Sequence, residues 1–109
     1  MDKELFFKAA RQKTRKVILE NEDGSDFEVT IRQMSADELS EMADGGDVKD
    51  NAAKSIVASV IDEKTGEKIF AKEDVNRIRS EFSAEATIRL QRGINEFNGL
   101  GVLDETAKN

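Results

Sequence analysis

The chain has no cysteine and no histidine. Without cysteine there is no disulfide and no thiolate chemistry, which suits a reducing compartment. Without histidine the commonest general base and the commonest metal ligand are gone. Ser-His and Cys-His catalysis each lose one partner. An enzyme built on this chain would have to work with carboxylates, lysines or a separately bound cofactor. Catalysis is therefore not the expectation, and neither is a cofactor or a metal. Long apolar runs are also missing. The longest covers only a few residues, far short of the roughly 20 that cross a bilayer, so no membrane partner is expected. Near the N-terminus Leu5, Phe6 and Phe7 give way to Lys8, too early for the apolar region of a signal peptide. The expected location is the cytoplasm. Basic residues are the minority, 17 against 23 acids, for a net charge of −6. Only residues 11–16 form a basic run, whereas a nucleic-acid binder shows a basic patch or stripe. Nucleic acid is not the expected partner.

The 109 residues fit one domain with a modest core. No proline interrupts any element,. Asp2 is placed to cap a short helix reaching to about Gln12, with Leu5, Phe6, Ala9 and Ala10 on one face. A helix of about ten residues is marginal unless it docks. Phe27, Val29 and Ile31 alternate with Glu28, Thr30 and Arg32, the period of a half-buried strand. Val17 and Leu19 offer the matching face, and Asp23 and Gly24 lie in the connection. An antiparallel hairpin follows.

Ser35 and Glu38 have the spacing of a capping box,. The helix they open carries Leu39, Met42 and Ala43 and is expected to stop at Gly45 and Gly46,. Asp47 is a candidate cap for the next helix. Ala53, Ile56, Val57, Val60 and Ile61 form its stripe at i, i+3, i+4, i+7 and i+8, the clearest amphipathic pattern in the chain. A third helix carries Val75, Ile78 and Phe82. Ser83 caps a fourth, with Ala86, Leu90, Ile94 and Phe97 inward. Gly99 and Gly101 loosen its end. The reading is α+β: an antiparallel hairpin followed by a small bundle of about four helices. A single domain spans residues 1–103, with a short helix in 1–13, the hairpin in 14–33, the helical part in 35–98 and a flexible tail at 104–109.

"DEKTGEKIF" at residues 62–70 invites a ligand reading. A calcium loop wants oxygen ligands at positions 1, 3 and 5, glycine at 6 and a carboxylate at 12. Counted from Asp62, Glu73 falls at 12, but Lys64 puts a cation at 3 and Gly66 arrives one residue early. A lone glycine is also not a phosphate loop. A turn is what remains. Asp37, Glu38, Glu41 and Asp44 read as the solvated face of a short helix, favoured at its N-terminal end. Arg77, Arg79, Arg89 and Arg92 read as partners in surface ion pairs.

Candidate contact residues are apolar. Ile88 points away from the stripe of Leu90, Ile94 and Phe97. Phe6 and Phe7 are adjacent on a short helix and cannot both face one core. A lone exposed isoleucine is ordinary, so the binding reading competes with plain exposure at each position. Leu100, Val102 and Leu103 beyond the last stripe complete the candidate partner-binding set.

The order of the segments is similar to that of the tail assembly chaperones of long-tailed phages and prophages. The resemblance rests on "VTIRQMSADE" at 29–38, "VIDEKTGEKIFAKEDV" at 60–75 and "INEFNGL" at 94–100. One departure is Ala71, where the family pattern commonly has Thr or Ser before the third helix; this weakens a cap. The resemblance implies that residues 62–70 are a turn reversing at Gly66, with Ile69 and Phe70 seating the next helix. It implies a non-enzymatic protein that binds the tape measure protein, keeps it soluble before tail tube polymerisation, acts in the host cytoplasm and is absent from the virion. It also implies that a longer form made by a −1 ribosomal frameshift is a possible product and partner, besides self-association. Ala107, Lys108 and Asn109 are compatible with codons of a slippery A AAA AAC run and do not require it. The competing expectations are a structural tail or head-tail component retained in the virion, or a small regulatory adaptor.

Overall fold

The computed structural model describes residues 2–44 and 50–100. Element order is α1 (Lys3–Ala9), β1 (Thr14–Glu20), β2 (Asp26–Arg32), α2 (Ala36–Asp44), α3 (Asn51–Ser59), β3 (Val60–Ile61), a 3₁₀ turn (Lys72–Asp74), α4 (Val75–Glu81) and α5 (Ala84–Phe97). The fold is α+β, with a three-stranded antiparallel sheet in the order β1-β2-β3.

The hairpin forms where alternation and turn chemistry predict it. Val17 pairs with Val29 and Leu19 with Phe27. The Asn21 N–H donates to Ser25 O at 2.8 Å, and Asp23 Oδ1 accepts from the Ser25 N–H at 2.9 Å. Gly24, at φ 86°, takes the left-handed conformation that costs glycine little.

Val60 and Ile61 correct the expectation. Their spacing continues the α3 stripe, yet the helix stops at Ser59 and Val60 turns extended, at ψ 125°. Ile61 pairs with Thr30 and Val60 with Ile31. Both residues are β-branched, so a helix gains little from them and a pleated surface accommodates them. Ile61 lies against Thr30 on the edge of β2, while the Val60 N–H donates to Ile56 O and its C=O accepts from the Ile69 N–H at 3.3 Å; Val60 still reaches the core. The sheet therefore gains a strand from the middle of the chain.

Helices α4 and α5 keep the expected faces, with Ile78, Leu90 and Ile94 buried, whereas Leu39 of the expected α2 stripe is exposed. Asp2 caps α1 by accepting from the Glu4 N–H at 3.1 Å, but the helix ends at Ala9 and buries no residue. Ser83 caps α5 by accepting from the Ala86 N–H at 3.0 Å. One core joins Val29 and Ile31 of β2, Ile56 and Val57 of α3, Val60, Ile78 of α4, and Leu90 and Ile94 of α5. Phe70 and Phe82 close it with an edge-to-face contact at 6.0 Å between centroids, a geometry that aromatic quadrupoles favour.

The turn at 62–70 is a small hairpin that leaves a strand, not a helix. The Asp62 N–H donates to Glu67 O, and the Gly66 N–H to Asp62 O, each at 2.8 Å. Asp62 Oδ1 accepts from the N–H groups of Lys64 and Thr65, and Gly66 takes φ 75°. Phe70 packs against the core, but Ile69, expected beside it, is 57% exposed. Where Ala71 cannot cap, Asp74 compensates: its carboxylate accepts from the Ala71 N–H at 2.8 Å. The expected helix stop at Gly45 and Gly46, the Asp47 cap, Gly101 and the 104–109 tail lie outside the described residues.

Candidate functional site

The three segments that carry the resemblance meet around the start of α2. Gln33 Nε2 donates to Phe97 O at 2.9 Å. The Met34 N–H donates to Asn98 Oδ1 at 2.8 Å, while Asn98 Nδ2 returns to Ile94 O at 2.7 Å. The end of α5 is thereby fixed to the strand-helix junction.

Glu38 joins the remaining segment. It forms the predicted capping box, with the Glu38 N–H donating to Ser35 Oγ at 3.1 Å and the Ser35 N–H donating to Glu38 Oε1 at 3.0 Å. Gln12 Nε2 also donates to Oε1, at 3.3 Å, and Lys68 Nζ pairs with Oε2 at 2.6 Å. Partial burial pushes this carboxyl up. The Lys68 hydrogen bond and then the Ser35 N–H outweigh that push and hold it below the usual carboxylate range. Glu38 therefore corrects the reading of the α2 acids as one solvated face. Asp37 and Glu41 are exposed as expected, but Glu38 is half-buried. Its position is dictated by Lys68, thirty residues away in sequence.

Beside this joint lies a groove of about 860 Å³ between α2, α3 and the 3₁₀ turn. Met42, Val57, Ala58, Phe70 and Val75 supply its apolar surface. Glu41, Lys54, Lys72 and the Glu38–Lys68 pair supply charge. Such a groove accepts an apolar stripe flanked by charges of either sign, the surface of an amphipathic segment. None of its apolar residues is among the predicted contacts. Val57 and Val75 read as core stripe, and the distinguishing signal is faint: between Ala52 and Ile61 only Lys54 is charged. A helix so apolar has more than one face to cover.

The predicted contact residues are dispersed over other surfaces. Phe6 and Phe7 are 60% and 65% exposed on α1, beside an exposed Leu5. Ile88 is 51% exposed on α5, and Leu100 is half-buried. None lines the groove. Val102 and Leu103 lie outside the described residues. Three of the four arginines sit in ion pairs: Arg77 with Glu81, Arg79 with Asp50 and Arg89 with Glu85. Among the described residues no group of three or more acidic side chains is placed to hold a metal ion, and no helix is long and apolar enough to cross a membrane.

The solved structure of the bacteriophage HK97 tail assembly chaperone shares this fold. It has a TM-score of 0.58 at 14% identity, covering 87% of this chain and 94% of that one. No curated protein matches the chain. The family profile described as "Phage tail assembly chaperone, TAC" matches residues 3–98, a span that takes in the hairpin, the joint and the groove. The chain belongs to the phage tail assembly chaperone family.

Proposed function

We propose that this tail assembly chaperone binds the tape measure protein in the host cytoplasm. It keeps that protein soluble until the tail tube polymerises, and it is then displaced. The observation that carries this reading is the apolar groove with charges of both signs at its rim, on a chain whose net charge is −6. A long, aggregation-prone partner offers many amphipathic segments. Weak seating at each one is enough, because copies spread along a single chain act together. Chaperoning is work by binding, and the absence of histidine agrees with a protein that does no chemistry on its client. Phe6, Phe7 and Ile88 extend the apolar contact surface beyond the groove.

The virion separates this reading from its rival. Purified particles are expected to lack the protein while infected-cell lysates contain it. Recovery from particles at the stoichiometry of a tail subunit would make it a structural component. A frameshifted longer form belongs to the same proposal. The gene is expected to show a slippery run at the codons of Lys108 and Asn109, followed by an open −1 frame; an early stop in that frame removes the second product.

A further inference from the structure

The sheet has an unfinished edge. Pairing between β2 and β3 stops at Thr30 and Ile61, because Asp62 enters the turn that donates its N–H to Glu67. The β1–β2 register, together with the Lys13–Gln33 and Asn21–Ser25 backbone bonds, directs the backbone groups of Phe27, Val29 and Ile31 to β1. Those of Asp26, Glu28 and Thr30 point to the opposite side. Thr30 is covered by Ile61, and Asp26 O accepts from Asn21 Nδ2 at 3.3 Å. The N–H and C=O of Glu28 face the gap that β3 leaves.

The gap is shaped. A cavity of about 280 Å³ opens along the edge of β2, walled by Phe27, Val29, Ile69, Phe70 and Phe82. Phe27 is 53% exposed and Ile69 57%. Asp26, Glu28, Asp62 and Glu63 stand at or beside its outer rim. Of nearby cations, Lys16 Nζ reaches Glu63 at 2.7 Å and Glu28 at 3.4 Å, which leaves acids in excess.

We propose that an extended segment of a partner protein, with large apolar side chains alternating with basic ones, adds as a strand along residues 26–29 of β2. The ladder chemistry selects an extended backbone, because only a strand presents an N–H and a C=O to the same residue. The period of two then sends one side chain into the apolar cavity and the next to the acidic rim. This site shares only Phe70 with the groove and does not depend on the tape measure reading.

A fluorescently labelled seven-residue peptide alternating lysine with valine and phenylalanine, titrated against the full chain, tests the proposal. Binding is expected to slow amide exchange at Glu28 and to be lowered by Ile69→Asp, an exposed position. Methylating alternate peptide nitrogens is expected to weaken binding about tenfold or more, since it removes ladder donors but little apolar surface. Equal affinity of the methylated peptide would show an apolar pocket and overturn strand addition. No binding of either peptide at millimolar concentration would overturn it as well, as would binding that leaves Glu28 exchange unchanged.

Discussion

Gly93 in α5 meets Val17 in β1 so closely that a Cβ on the glycine would lie 2.8 Å from Val17 Cγ2. The contact lets α5 lie against the sheet with Leu90 and Ile94 buried on the adjoining face. In an exposed helix, Gly→Ala stabilises by about 1 kcal/mol. Here the added methyl meets a short branched side chain that has little room to yield, and overpacking costs about 1–3 kcal/mol. Gly93→Ala is expected to lower the melting temperature followed by circular dichroism. Val17→Ala in the same chain should recover part of the loss, a coupling seen only between residues in contact. A melting temperature that rises would show that α5 does not approach β1 this closely.

Glu38 predicts an acid-side dependence of stability. Its carboxyl titrates below the ordinary value of 4.5. A depressed carboxyl contributes stability that is present above the unfolded value and lost as pH falls through the folded one. Glu38→Gln is expected to cost about 1–2 kcal/mol at neutral pH, through the lost charge-assisted bond to Lys68. Denaturant melts of the two proteins should converge as pH falls below 4.5. A gap of the same size at about pH 3 and pH 7 would assign the loss to packing instead of charge.

Val60 and Ile88 are a matched pair of apolar positions with opposite fates. Val60 is 4% exposed and pairs with Ile31 on the sheet. Val60→Asp puts an unpaired charge into the core and is expected to abolish the cooperative melt. Ile88→Asp, on the solvent side of α5, should change stability by less than about 0.5 kcal/mol. Thermal melts of both variants check the pair. An unfolded Ile88→Asp would mean that α5 is rotated from the orientation described.

The hairpin, the α2 capping box and the Ser83 cap were legible because each is a local signal, written within a few residues. So was the turn at 62–70, because Gly66 falls one residue too early for the calcium template,. The third strand was not. Val60 and Ile61 satisfy the helical period, yet as adjacent β-branched residues they equally suit a short buried strand, and the free edge of β2 that decides between them is about thirty residues away in sequence. Glu38 shows the same limit. Its cap to Ser35 is local, but its half-burial follows from Lys68. The groove was least legible, since Met42, Val57, Phe70 and Val75 are the residue types that also build the core. Only the packing of α2, α3 and the 3₁₀ turn leaves one side of them uncovered. Phe6, Phe7 and Ile88 stood out because an apolar residue off the stripe breaks a pattern. A groove floor breaks none.

On the proposed function, this chaperone holds the tape measure protein soluble through the groove. Co-expression with the tape measure protein of the same phage, followed by the soluble fraction of that partner, tests it most directly. The wild-type chain is expected to raise the soluble fraction. Met42→Glu, a charge on the half-buried floor, is expected largely to remove the effect while the chaperone itself still melts cooperatively. A tape measure protein that precipitates equally with and without the wild-type chain would overturn the proposed function. So would a Met42→Glu variant, folded and present in equal amount, that protects its partner as well as the wild type does.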